Sequence, residues 1–345
     1  MTTSTHASLQ RTNPKAAKAP PRRTGREGIE ADVAATAATG RQLLQEVGRV
    51  IVGKKSVMQH VLVNVLSQGN ILFEDFPGLA KTVMASTFAH ASGCDFKRIQ
   101  FTPDVLPADI TGSMIYDQKA GRFEFRQGPV FTNFLLADEI NRAPPKTQSA
   151  LLEAMQERQV SIEGRTYPLE KPYIVMATQN PIEQEGTYPL PEAQMDRFLM
   201  KLSMGYPTRD EEKEIGRRRI ARGKDDFDVA RVTTPQAIVG MQQTCERLHI
   251  DDAILEYIAN IVVATRKHEH VQVGSSPRGT LALIKAGRAW AALQGRAFVT
   301  PDDVRRIGVQ VLAHRIILKP DARFGGTTSE KVIQGILKET PAPTA

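Results

Sequence analysis

Leu43, Leu44, Val47, Val50 and Ile51 recur at helical spacing and predict a first amphipathic helix, with a second over 59–66. The period then changes. Short continuous apolar runs at 70–74, 98–101, 133–137, 173–177 and 198–202 predict five buried strands, with helical stretches between them. This alternation predicts an α/β fold, a parallel sheet flanked by helices on both faces. Two further stretches alternate around glycine turns and predict hairpins: 116–125, turning at Lys119-Ala120-Gly121, and 160–169, turning at Glu163-Gly164. After Pro207 the strand signals stop, and helices follow one another to about Leu318. Thr234-Pro235, Ser276-Pro277 and Thr300-Pro301 each place a capping hydroxyl before proline at a first helical position. The expected layout is an α/β domain over 34–206 and a small all-helical domain over 207–345. Residues 1–33 stand apart as a tail.

Composition sharpens this picture in three places. The chain has 345 residues, 41% of them hydrophobic, enough for two domains with a sizeable core. No apolar run reaches 18 residues and the start lacks an apolar signal core, so neither a membrane span nor secretion is expected. Cys94 and Cys245 lie far apart and form no metal or disulfide pattern, which suits a reducing cytoplasm. The net charge of +7 suggests nucleic acid until its distribution is read. Arg11, Lys15, Lys18, Arg22, Arg23 and Arg26 supply six of those charges within an acid-free, Thr-, Ala- and Pro-rich tail expected to be disordered. The remaining body is almost neutral, so nucleic acid is not the expected partner.

The candidate chemistry lies at strand ends. The run after the first predicted strand, Asp75-Phe76-Pro77-Gly78-Leu79-Ala80-Lys81-Thr82, has the layout of a phosphate-binding loop entering a helix. In such a loop backbone N–H groups wrap the phosphates, the lysine reaches the β- and γ-phosphates and the hydroxyl ligates Mg²⁺. This copy has Asp75 and Ala80 where glycines are usual, so alone it also fits an ordinary strand–turn–helix. Asp75 must point away from any phosphate it would otherwise repel. The second signal is Phe134-Leu135-Leu136-Ala137-Asp138-Glu139, an apolar strand ending in two acids. Charge at a buried strand needs a site or a solvent-facing end, because uncompensated burial costs several kcal/mol. Asp138 suits Mg²⁺ binding and Glu139 suits a general base. A third strand ends in Gln179 and Asn180. Asn180 can orient an attacking water, or simply form the turn before Pro181. Arg197 precedes the last strand and can act as a finger on a neighbouring subunit's nucleotide, or pair with an acid of its own chain. Arg278 begins a helix, where a cation opposes the dipole unless an anion faces it or solvent covers it. His268 and His270, two apart, would face differently on a helix, which argues against a metal site. Trp290 reads as core.

Taken together, these motifs closely resemble the MoxR family of AAA+ ATPases. The likeness is carried by the loop at 76–82, by the run 137–155 beginning Ala137-Asp138-Glu139-Ile140-Asn141-Arg142, by 177–188 beginning Ala177-Thr178-Gln179-Asn180-Pro181, by 190–198 ending Met195-Asp196-Arg197-Phe198, and by Ser276-Pro277-Arg278. It extends from about Leu43 to about Ile336. The resemblance implies a P-loop AAA+ domain followed by a helical lid, with ATP and Mg²⁺ as ligands. It implies that Pro77, Gly78, Leu79, Ala80, Lys81 and Thr82 cradle the phosphates and that Val52 and Gly53 touch adenine. It assigns Thr82 and Asp138 to the metal, Glu139 to the base, Asn180 and Arg278 to the two sensors, and Arg197 to the finger. It implies a homo-hexamer, a partner carrying a von Willebrand factor A domain and a client protein that is remodelled, matured or activated. In related rings the two hairpins face the pore or the partner; the alternative is that both are simple surface hairpins. The lid is expected to move at a hinge near 206–208. A nucleic-acid-stimulated motor, a nucleotide-dependent switch with negligible turnover and a chelatase-type subunit for metal insertion are the alternatives.

Overall fold

The computed structural model describes residues 26–119, 121–181 and 186–343. Most of the predicted tail, the turn residue Ala120 and residues 182–185 of one family motif lie outside the described residues. The first helix, α1 (Arg26–Val50), begins inside the stretch expected to be tail, because Ile29 and Val33 extend its apolar stripe and Val33 is fully buried. After α2 (Lys55–Leu66) comes β1 (Ile71–Glu74), whose C-terminal end opens into the predicted loop and α3 (Lys81–Ala91). Then follow β2 (Phe96–Gln100), the short α4 (Pro107–Thr111) and the first hairpin, β3 (Gly112–Asp117) and β4 (Arg122–Gln127). Next are β5 (Phe134–Asp138), α5 (Pro145–Glu157) and the second hairpin, β6 (Gln159–Ile162) and β7 (Arg165–Pro168). The domain closes with β8 (Ile174–Gln179), α6 (Glu192–Met195) and β9 (Met200–Leu202).

Five of these strands form one parallel sheet in the order β2-β5-β8-β1-β9. Successive side chains of a strand point to opposite faces. Ile71 and Phe73, Phe134 and Leu136, and Ile174 and Met176 enter one apolar cluster, while Leu72, Leu135, Ala137, Val175 and Ala177 enter the other. Both faces of the central strands are covered, which is why they read as unbroken apolar runs; β2, expected to be buried, is an edge strand with Lys97, Arg98 and Gln100 exposed. The order puts β1, β8 and β5 side by side at the centre, so their C-terminal ends share one edge. The two hairpins touch through Phe125 and Tyr167, whose rings lie 4.3 Å apart.

The second unit runs through α7 (Arg209–Arg222), α8 (Pro235–Glu246), α9 (Asp252–Lys267), β10 (Val271–Val273), α10 (Pro277–Leu293), α11 (Pro301–Leu312), β11 (Ile317–Leu318), α12 (Pro320–Phe324) and α13 (Ser329–Glu339). Thr234 and Ser276 cap their helices as predicted, and Thr300 forms a capping box with Asp303. The unit is not all-helical: β10 and β11 pair antiparallel, too short to leave a periodic signal. His268 and His270 follow the end of α9 rather than lying on it. Trp290 is core, packed 5.7 Å from the His60 ring.

One continuous apolar cluster joins α1, α2 and one sheet face to α8, α9, α10, α11 and α13. The lid therefore shares a core with the α/β domain, and a large swing between them would expose that surface to water. Where the two units meet, His314 is buried, with Nε2 3.1 Å from the Phe198 carbonyl. Burial, reinforced by the charge of Arg315, holds its pKa well below the ordinary imidazole value. The unfolded chain protonates this ring as pH falls through about 6.5, whereas the folded chain does not. The unfolded state then binds more protons, so this part of the stability is present near neutrality and lost as pH drops below that value. The midpoint of urea unfolding is expected to fall between pH 7 and 5. His314→Gln, which keeps a donor for Phe198, is expected to flatten that profile.

Candidate functional site

The loop after β1 turns back on itself through Gly78 at φ 82° and Ala80 at φ 57°, both left-handed. Glycine adopts this conformation freely and alanine does so at a cost. These turns lead into the N-terminus of α3, where backbone N–H groups lack helical acceptors and favour an anion. Lys81 is the first residue of α3 and is buried. Its ammonium donates to the carbonyls of Asp75 at 3.0 Å and Phe76 at 3.1 Å. Burial lowers its pKa from the usual lysine value, and the charges of Asp75, Asp138 and Glu139 oppose that shift. Asp75 also lines the cleft, and its carboxylate is engaged within the chain: it accepts from Ser203 Oγ and from the Met204 and Gly205 N–H groups.

Across the sheet edge, Asp138 ends β5 and Glu139 follows it in the left-handed region, at φ 58°. A charged, non-glycine residue held there signals a backbone fixed by its surroundings. Thr178 does the fixing from the neighbouring strand. Its hydroxyl donates to Asp138 Oδ1 at 2.6 Å and accepts from the Glu139 N–H at 2.8 Å. The second oxygen of Asp138 accepts from Arg98 Nη2 at 2.7 Å and Nε at 3.1 Å. Arg142 Nη1 lies 3.0 Å from Glu139 Oε2.

A cleft of about 330 Å³ gathers these groups. Pro77, Gly78, Leu79, Ala80, Lys81, Thr82, Asp138, Glu139 and Asn180 all line it, so most residues singled out from the sequence converge on one place. Arg98, Gln100 and Thr178 line it too, and sequence reasoning missed them as site residues. The signal that finds them is register: Gln100 pairs with Asp138 in the β2–β5 ladder, putting the end of β2 beside the acidic pair.

Four other candidates lie outside that lining. Val52 precedes Gly53, which abuts the start of α7: a Cβ on Gly53 would fall 1.8 Å from the Glu211 carboxylate. Arg197 and Arg278 occupy a different junction, organised by Asp196. The Asp196 side chain accepts from Ser276 Oγ at 2.9 Å, lies 4.0 Å from Arg278 Nη1 and is ion-paired with buried Arg315. Arg197 follows immediately in sequence. Its Nε is buried without a hydrogen-bond partner among the described residues.

A parallel sheet in this order, a phosphate-binding loop after its β1 strand, an acidic pair on a non-adjacent strand and a helical lid define the AAA+ class of P-loop ATPases. Comparison with known proteins agrees. Residues 70–200 match the ATPase family associated with various cellular activities, and residues 263–336 match the AAA lid domain. The chain is 45% identical over 335 residues to the chaperone MoxR1 of Mycobacterium tuberculosis, covering 94% of this chain and 86% of that protein. It is 46% identical over 303 residues to YeaC of Bacillus subtilis, covering 87% and 93%. The crystal structure of a candidate ATPase from Cytophaga hutchinsonii superposes with a TM-score of 0.86 at 39% identity, covering 92% of this chain and 99% of that one. The chain belongs to the MoxR family of AAA+ ATPases.

Proposed function

We propose that this chain hydrolyses ATP at the boundaries of a homo-hexameric ring and uses the energy to remodel a client protein. The convergence of Lys81, Asp138, Glu139 and Asn180 on one cleft carries the catalytic part of this reading. Lys81 and the loop amides bind the phosphates, and Val52 and Gly53 flank the adenine. Glu139 takes a proton from the attacking water, and Asn180 orients that water. Thr82 and Asp138 line the cleft as hard oxygen donors of the kind Mg²⁺ prefers, so the donor set fits the ion. When bound, Mg²⁺ supplies charge neutralisation to the phosphates. Arg98 pairs with Asp138 at 2.7 Å, which supports reading that carboxylate as one that faces positive charge. Arg197 and Arg278 line no part of their own chain's cleft, which supports action on the neighbouring subunit's nucleotide.

The client-directed part rests on the family. A relative with 45% identity carries the name chaperone. The family's usual companion, a protein with a von Willebrand factor A domain, is the proposed partner. On the β3–β4 hairpin, Tyr116 and Phe123 form an exposed edge-to-face pair at 5.2 Å, which supports a protein-facing role for that hairpin.

ATP turnover per subunit, measured with Mg²⁺ as protein concentration is raised, tests the assembly requirement. The rate is expected to climb and then saturate. A wild-type protein that binds ATP with no turnover at any concentration contradicts hydrolysis by the assembled chain alone. Lys81→Ala separates binding from chemistry. At 100 times the dissociation constant a ligand stabilises the folded state by about 2.7 kcal/mol. Thermal stabilisation by ATP is expected in the wild type and absent in Lys81→Ala.

A further inference from the structure

Asp75 occupies a loop position at which glycine suffices for binding phosphate. Asp75 is 5% exposed, and all its described side-chain donors come from one short segment leaving the last strand of the sheet. Ser203 Oγ donates to Oδ1 at 2.6 Å, the Met204 N–H to Oδ2 at 2.6 Å and the Gly205 N–H to Oδ1 at 3.2 Å. The same residue's carbonyl accepts from the Lys81 ammonium at 3.0 Å. The segment continues through Gly205, left-handed at φ 61°, to Tyr206, whose ring stacks on Phe76 at 5.6 Å. It ends at Thr208, the cap of α7 and the entry to the lid. A single residue thus touches the phosphate-reaching lysine on one side and the strap to the lid on the other.

We propose that Asp75 is a positioning residue that couples phosphate occupancy of the loop to the strap at 203–206. The proposal rests on reading the cleft as an ATP site. Phosphate oxygens compete for the Lys81 ammonium with the neutral carbonyls of Asp75 and Phe76, and a charge-assisted bond is the stronger one. Once the lysine turns to phosphate, the start of the loop is released from it and remains tied to the strap through the Asp75 carboxylate. The strap then senses the nucleotide without any large swing of the lid, which suits the core that the two units share.

Amide hydrogen exchange at Met204 and Gly205, with and without a non-hydrolysable ATP analogue and Mg²⁺, tests this. In the wild type the exchange rates are expected to change on binding. In Asp75→Gly they are expected to rise by about tenfold without nucleotide, the loss of a hydrogen bond each, and to stop responding to it. Turnover is expected to lose kcat more than it raises KM. Asp75→Asn keeps one acceptor oxygen and the side-chain shape; it is expected to fall between the two, and it carries the comparison if the glycine variant does not fold. A strap that responds to the analogue in these variants as it does in the wild type overturns the coupling and leaves the ATP site standing. Failure of the wild type itself to bind the analogue removes both readings.

Discussion

Arg197→Ala is expected to bind ATP and to turn it over about 10³–10⁵-fold more slowly, the range an arginine finger contributes to phosphoryl transfer. The alternative for this residue is an ion pair within its own chain, with Asp196 or another acid. The structure assigns the neighbouring acid elsewhere: Asp196 is engaged by Arg315, Ser276 and Arg278. Arg315 also donates to the carbonyls of Asp196 at 2.7 Å and Phe198 at 2.6 Å, and so fixes the backbone on both sides of Arg197. Among the described residues the Arg197 guanidinium has no ion pair of its own. A cation whose flanking backbone is fixed, and which has no ion pair among the described residues, suits a target supplied by another subunit. Comparing single-turnover rates with nucleotide affinity checks this: a variant that loses affinity in proportion to rate would mean that Arg197 acts in ground-state binding.

Glu139→Gln is the second large effect. The substitution keeps size and hydrogen-bonding capacity but removes the basic oxygen. Turnover is expected to fall by about 10²–10⁴-fold, the usual contribution of a positioned general base, while ATP stays bound. The backbone of Glu139 is held left-handed by Thr178, which points the side chain into the cleft rather than along the strand. Arg142 holds one of its oxygens. Retention of radiolabelled ATP on the variant after Mg²⁺ addition, where the wild type releases ADP, is the measurement. Wild-type turnover by Glu139→Gln would place the base elsewhere.

The elements that were legible in sequence are those whose whole environment is apolar. A strand such as Phe134–Asp138, buried on both faces, announces itself by composition, and its acidic end announces a site. Proline after a hydroxyl residue announced three helix starts because the cap is chemistry local to two residues. The missing parts depend on distant chain segments. Arg98 reads as an ordinary exposed charge until the β2–β5 register sets the end of its strand beside Asp138. Thr178 looks like one more β-branched strand residue until its hydroxyl is seen bridging Asp138 and Glu139. His314 carries no local signal, since only its position beneath Phe198 makes it a buried titratable group. The core shared by the two units was not legible, because periodicity tells which face of a helix is buried and not against what.

Two inactive proteins provide the most direct test of a site built at the subunit boundary. Arg197→Ala retains Glu139, and Glu139→Gln retains Arg197. In a head-to-tail ring each cleft meets its neighbour's finger, so random co-assembly in equal amounts restores both groups at roughly a quarter of the boundaries. ATP turnover of the co-assembled mixture is predicted to rise far above that of either variant alone. A mixture as inactive as its components would contradict an arginine acting across the boundary.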